Sequence, residues 1–244
     1  MKRFIGAAAV LASLVSFPAF AEVDKKISQT IKASLQEARS DIEYGDVQAS
    51  PIEGMYSIEI LGGPVLYTTA KGDYFIAGDL FKVAPGEFVN LEEEKRSRAR
   101  VTTLKALNPK EQITFAPKGE VKGDIYVFTD IDCGYCRKLH DEVPQLNEMG
   151  ISVHYLAYPR AGVTSKSGDK IVTAFCADNP QETLTKLKNR ETVPMNVCED
   201  NPVAKQYELG SAMGVRGTPA IFLSDGTMLP GYMPAAELAA KMGL

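Results

Sequence analysis

The chain has 244 residues, of which 45% are hydrophobic and 24% charged, and its formal net charge is −4. This balance suits a globular protein of one large or two small domains. The acidic surplus argues against a nucleic-acid partner, and beyond the first residues no apolar run is long enough to cross a membrane.

The chain opens with Lys2 and Arg3, continues with "FIGAAAVLASLVSF" and reaches "AFA" at Ala21. A basic start, a short apolar run and a small-x-small pattern predict a secretory signal peptide over residues 1–21. Glu22 is then the first mature residue. Export to an oxidising compartment permits disulfides among the four cysteines, Cys133, Cys136, Cys176 and Cys198. Four cysteines allow three pairings, and sequence alone does not choose among them.

Next comes "EVDKKISQTIKASLQEA", in which Val23, Ile27, Ile31, Leu35 and Ala38 fall on one helical face. Short β-rich runs follow, "YSIEILGG", "PVLYTTAKG", "DYFIAGD" and "LFKVAPG", broken by Gly, Pro and Asp. They predict an antiparallel meander. Residues 22–88 are expected to form a small domain whose thin core favours pairing with a second copy. Residues 89–110 read as a helical linker, with acidic residues ahead of basic ones as the helix dipole prefers. In it "EKRSRAR" is expected to be a solvated face, and Val101, Leu104 and Leu107 an apolar stripe.

Residues 111–244 read as the second domain. "GDIYVFTDID" is a strand, "CGYCRKLHDEVPQLNEMG" a helix starting at the cysteines, and "ISVHYLAYP" another strand. Two helical stretches follow, then "VRGTPAIFLSDGTMLPGY", two strands with a turn at Asp225 and Gly226, then a closing helix. This is an α/β order with a parallel strand pair at its heart.

Three readings compete for the Cys133-x-x-Cys136 pair. A zinc site needs four ligands, usually two close pairs, and here one close pair stands alone. His140 and His154 offer no zinc spacing, so no metal and no cofactor are expected. A structural disulfide closing so small a loop constrains the unfolded chain little. The third reading is a redox pair. At a helix start, free N–H groups and the macrodipole stabilise a thiolate at Cys133. Cys136, one turn on, is placed to resolve a mixed disulfide. Gly134 and Tyr135 set the helix-start geometry and hence the redox poise. Asp130 and Asp132 oppose the thiolate, with Arg137 and Lys138 as offsets. His140 reads as a satisfied, partly exposed histidine rather than a base. Thr218-Pro219 precedes a strand, where proline cannot donate to a ladder, and beside this cysteine pair a cis bond is expected. Such a kink would expose backbone for pairing with a substrate peptide. Tyr135, Tyr158 and Pro159 are candidates to line an apolar binding surface, and Met213 is expected in the core.

With these motifs the chain resembles the thioredoxin fold. From Glu22 to the end it resembles the periplasmic disulfide isomerases of the DsbC/DsbG family. The likeness is carried by "VFTDIDCGYCRKLH", "YLAYPRAG", "FCADN", "GVRGTPAIFLSDGTMLPGY" and "VQASPIEGMYSIEI". It implies a thioredoxin-like catalytic domain with a helical insertion, and a small α+β, cystatin-like dimerisation domain joined to it by the helical linker. It implies a V-shaped homodimer with redox sites facing a shared cleft. Cys133 would attack, Cys136 would resolve, and the pair would form the redox-active disulfide Cys133-Cys136. Thr218 and Pro219 would contact substrate, and Cys176-Cys198 would be a structural disulfide. The implied partners are misfolded disulfide-containing secreted proteins and a membrane thiol reductant of the DsbD type. Arg137 stands where the best-known isomerase has histidine, which bears on the redox tuning. The expected activity is isomerisation and reduction of incorrect disulfides in the periplasm, with chaperone activity. The alternatives are a net disulfide oxidase and a thiol-independent chaperone.

Overall fold

Ile31 and Leu35, one turn apart on the same helical face, are both buried in the computed structural model, which describes residues 23–244. The expected signal peptide lies outside the described residues. Helix α1 (Lys25–Ala38) is capped by Asp24, whose side chain accepts from the Lys26 N–H. Its apolar face packs on Val47, Ile58 and Leu66, while Ala38 is exposed. Strands β1 (Gln48–Ala49), β2 (Met55–Glu59), β3 (Val65–Thr69) and β4 (Phe75–Ala77) form an antiparallel sheet in that order. Edge strand β4 leaves Phe75 and Ile76 exposed.

The chain divides into two compact units, the first ending at Asp79 and the second running from Leu80 to the end. The division falls earlier than the expected boundary at residue 88. The second unit opens with the hairpin β5 (Phe81–Ala84) and β6 (Glu87–Asn90), then helix α2 (Leu91–Lys105). The Asn90 side chain caps α2 by accepting from the Glu92 and Glu93 N–H groups. Of the expected stripe, Leu104 is buried and Leu107 packs beside it. Arg100 departs from the expected solvated face. It is 5% exposed, donates to the carbonyls of Met213 and Gly226, pairs with Glu93, and lies over the Phe222 ring. Helix α2 therefore belongs to the second unit rather than standing free as a linker.

The sheet of the second unit has the order β11-β10-β8-β9-β7. Its strands are β7 (Ile113–Phe115), β8 (Gly123–Thr129), β9 (Ile151–Ala157), β10 (Ala220–Leu223) and β11 (Met228–Pro230). Strands β8 and β9 pair in parallel, and the other neighbours are antiparallel. Both central strands are apolar because both sheet faces are covered. The helices are α3 (Gly134–Asp141), α4 (Val143–Glu148), α5 (Lys166–Phe175), α6 (Pro180–Lys188), α7 (Val203–Ala212) and α8 (Ala235–Lys241). The single helix expected after the cysteines is split at Glu142. Pro144 sits in the first turn of α4, where its missing N–H costs nothing. Cys176 and Cys198 are joined, with S–S 1.97 Å, tying the end of α5 to the segment before α7.

Candidate functional site

Strand β8 delivers the chain to Asp130, and Cys133 becomes the N-cap of α3. There the Cys133 sulfur accepts from the Cys136 N–H at 3.3 Å. The first turn of a helix carries unsatisfied N–H groups, so a thiolate at this point finds donors already aimed at it. On its other side the thiol donates to the Thr218 carbonyl oxygen at 3.2 Å. The Thr218-Pro219 peptide bond is cis. The structure thus brings Cys133, Cys136, Thr218 and Pro219 together across the ends of β8, α3 and β10. Both cysteines are free thiols, Cys133 3% exposed and Cys136 fully buried.

Their environments push the two thiols in opposite directions. The Cys136 thiol, hydrogen-bonded to the Cys133 sulfur, pulls Cys133 down to about 5 against the cost of burial. Thr218, the Cys136 N–H and the Arg160 charge add to this. The Thr218 hydroxyl is buried with no partner, which leaves its proton available to a thiolate at Cys133. Burial pushes Cys136 far up, and the neighbouring Cys133 sulfur pushes it further. One sulfur is therefore a ready nucleophile and the other holds its proton.

The acidic neighbours do not oppose the thiolate as the sequence suggested. Asp130 is 2% exposed and accepts from Ser167 Oγ, the Arg160 N–H at 2.9 Å, Arg160 Nε at 3.2 Å and the Asp132 N–H at 2.8 Å. Burial works to raise its pKa, but those hydrogen bonds outweigh it and the net shift is downward. Asp132 pairs with Lys170 at 2.7 Å. Arg137 donates to the Ile131 carbonyl, and Lys138 lies 4.4 Å over the Tyr232 ring, so neither is aimed at the thiols. His140 is buried rather than partly exposed, and it bridges Tyr155 Oη and Thr185 Oγ1, each at 3.0 Å. Burial and then the Lys188 charge lower its pKa to about 3, so it is neutral.

Tyr135 is 65% exposed and stacks on Tyr232, placing aromatic surface beside the cysteine pair. Tyr158 and Pro159 do not join it. Both are buried, with Tyr158 Oη donating to the Val215 carbonyl and its ring stacked on Tyr207. Met213 is in the core. Sequence reasoning missed Arg160, whose charge favours the Cys133 thiolate, and Lys188, which is buried behind the pair. Among the described residues, no group of three or more His, Cys, Asp or Glu is gathered as a metal site requires, and no helix is long and apolar enough to cross a membrane.

Two family matches cover most of the chain. Residues 109–243 match the thioredoxin-like domain, and residues 18–93 match the disulfide bond isomerase protein N-terminal domain. The thiol:disulfide interchange protein DsbC of Escherichia coli strain K12 is 36% identical over 228 residues, covering 92% of this chain and 90% of that protein. The chain belongs to the DsbC family. DsbC of Salmonella typhimurium is 35% identical over 240 residues, covering 98% of this chain and 95% of its relative. A linker-deletion mutant of Proteus mirabilis ScsC, 20% identical, superposes with a TM-score of 0.51 over 61% of this chain and 82% of that one, a likeness of fold. As a DsbC-family member the protein is a disulfide isomerase and thiol-disulfide oxidoreductase on an α/β thioredoxin fold. Cys133 and Cys136 lie inside the thioredoxin-like match.

Proposed function

We propose that the protein reshuffles and reduces incorrect disulfides in secreted proteins through Cys133 and Cys136. The observation that carries this reading is the unequal pair. Cys133 is depressed at a helix start beside the Thr218 carbonyl, and Cys136 is buried and protonated one turn on. Cys133 attacks a substrate disulfide and forms a mixed disulfide, and the displaced sulfur leaves as a thiolate. A different thiolate of the substrate attacks the bridge to Cys133, leaving a new pairing and a free Cys133. Otherwise Cys136 attacks Cys133, and the substrate departs reduced. Tyr135, Tyr232 and the backbone before Pro219 offer substrate a surface suited to loose binding without sequence preference.

Cys176-Cys198 serves as a structural bridge in this reading. The protein works in the periplasm, is delivered there by its signal peptide, and is kept reduced by a membrane thiol reductant of the DsbD type. It forms a homodimer through its first unit, where Tyr74, Phe75 and Ile76 are exposed. Such apolar surface is available to a second copy and to unfolded chains, which also supports chaperone activity. The net oxidase is the second reading, favoured by one observation. A stabilised Cys133 thiolate stabilises the reduced form, which makes the disulfide form oxidising.

Refolding of a scrambled multi-disulfide protein tests the proposal, with Cys133→Ala alongside. Native pairing restored by the wild type and not by the variant supports isomerisation. Rescue of a reduced starting protein alone moves the assignment to an oxidase. Equal performance by both proteins removes the thiols from the function and leaves a chaperone.

A further inference from the structure

Beside the cysteine pair lies an open cleft of about 550 Å3 that the chemistry above leaves unused. It runs from Asp132 and Arg137, which flank the cysteines, past Lys170 of α5 to the segment that follows α6. It shares no residue with the loop carrying Thr218 and Pro219, so it is a second surface next to Cys133. The segment after α6 is a fixed wall. Its Asn196 N–H donates to Thr173 Oγ1 at 3.1 Å, Asn196 Nδ2 donates to the Cys176 carbonyl at 2.9 Å, and Cys198 is bridged to Cys176. Arg190 heads this wall at φ +63, where glycine is the unstrained choice. Its N–H donates to the Leu187 carbonyl at 3.1 Å and closes α6, while its side chain borders the cleft.

The protein as a whole is acidic, yet in this cleft the cations are in excess. Asp132 and Lys170 neutralise one another at 2.7 Å, and Glu191 accepts from Asn189 Nδ2 at 3.5 Å. Arg137 spends only Nη1, on the Ile131 carbonyl at 3.2 Å. Among the described residues neither Arg137 nor Arg190 pairs with a carboxylate. The Arg137 N–H donates to the Cys133 carbonyl at 3.1 Å, which sets the two residues one helical turn apart. Arg137 Nη2 lies 3.8 Å from where a Cβ on Gly134 would stand, so the guanidinium rests against the residue next to Cys133. Its Nε and Nη2 edge is left as a fork suited to a carboxylate. Leu187 and Val193 add apolar lining, which strengthens a charged hydrogen bond by keeping water back.

We propose that this cleft selects substrates carrying a carboxylate side chain within two residues of the cysteine that Cys133 attacks, and that Arg137 and Arg190 hold it. The inference deepens the proposed function and rests on attack by Cys133. Two extended residues span about 7 Å, enough to carry an acidic side chain from the Cys133 sulfur to a guanidinium one turn away. The occupant is thus an acidic peptide segment beside a disulfide. A basic one would meet two unpaired cations.

The test uses end-blocked peptides whose single cysteine is joined by a disulfide to a chromogenic aryl thiol. Both positions two residues from that cysteine are Glu, Gln or Lys. The Cys133 thiolate bonds to the peptide sulfur, the bond to the aryl sulfur breaks, and the electron pair leaves on the coloured aryl thiolate. Stopped-flow mixing with the reduced protein gives the second-order rates. The Glu peptide should react on the order of tenfold faster than the Gln peptide, and the Lys peptide slower than both. Added salt should narrow the spread. In the double variant Arg137→Gln with Arg190→Gln the ratio of Glu to Gln rates should fall to about one. That ratio cancels any change in the reactivity of Cys133 itself. Arg190→Glu, at an exposed position, should lower the ratio by itself, and it decides the matter should the double variant fail to fold. Equal wild-type rates for the three peptides would overturn the proposal, as would a wild-type ratio in both variants. A ratio lost in the double variant and kept in Arg190→Glu would remove Arg190 from the site. No release from any peptide, or release undiminished in Cys133→Ala, would instead overturn attack by Cys133.

Discussion

The Cys133 sulfur lies 3.2 Å from the carbonyl oxygen of Thr218. The attacking atom and the backbone just before Pro219 therefore sit side by side, although they are far apart in the chain. In the proposed function a substrate peptide pairing with that backbone would bring its own sulfur to Cys133.

The thiolate should respond to the loop as well as to its helix. Thr218→Val removes the unpartnered hydroxyl and should raise the Cys133 pKa from about 5 toward its ordinary 9.0. Titration by ultraviolet thiolate absorbance measures this directly. The sign for stability follows. With the folded value depressed, the thiolate's contribution to the dithiol form is complete above about pH 9 and is lost as pH falls through about 5. Urea denaturation of the reduced protein should weaken over that window in wild type, and over a narrower one in Thr218→Val.

Asp130→Ala leaves Ser167, Arg160 and the Asp132 N–H without their shared acceptor. Leaving the buried donors without their acceptor costs about 2 kcal/mol. Urea denaturation should record that loss at pH 7. The loss should shrink at low pH, because the depressed carboxylate contributes only while ionised. A variant as stable as wild type at pH 7 would contradict the account of Asp130 as a charge held by its hydrogen bonds.

The Cys176-Cys198 bridge spans a sequence separation of 22. Loop closure of that length stabilises by about 3 kcal/mol on the chain-entropy estimate. Replacing both cysteines by serine should lower stability by about that amount while leaving the rate of attack by Cys133 unchanged. An equal loss of exchange activity would make this pair a second redox couple.

Gly226, at φ +83, lies where an added Cβ would run into the Ser97 carbonyl of α2. Gly226→Ala should destabilise by about 2 kcal/mol through overpacking and the left-handed backbone. Amides of α2 should lose protection in hydrogen exchange. Unchanged protection would mean that Arg100 and Leu104 hold α2 without help from the close approach at Gly226.

The sequence was most legible where chemistry depends on local order. Cys-Gly-Tyr-Cys after an apolar strand, and Thr-Pro before another, marked both sides of the site. What failed was anything decided by the direction of a side chain. Asp130 and Asp132 read alike as charges opposing the thiolate, yet one turns to Ser167 and Arg160 and the other to Lys170. Arg100 sat in a charged run, and only contact with Met213 and Gly226 distinguishes it from its solvated neighbours. Lys188 carried a faint signal. It falls four residues after Leu184 and one after Leu187, both buried, on the inward stripe of α6. A lysine on such a stripe invites a search for what it faces, but Thr129, the answer, lies 59 residues away in sequence.

The bridge between Cys176 and Cys198 encloses the whole of α6, and with it Lys188. That helix is part of the wall packed on α3, the helix that carries Cys136, and the bridge pins both ends of the segment containing it. A reductant strong enough to open the bridge would loosen the wall, admit water to Cys136 and relieve the burial that holds its proton. The surrounding redox level thus reaches the site by two routes: at once through the exchanging sulfurs, and at a harsher threshold through the dryness of the chamber behind them.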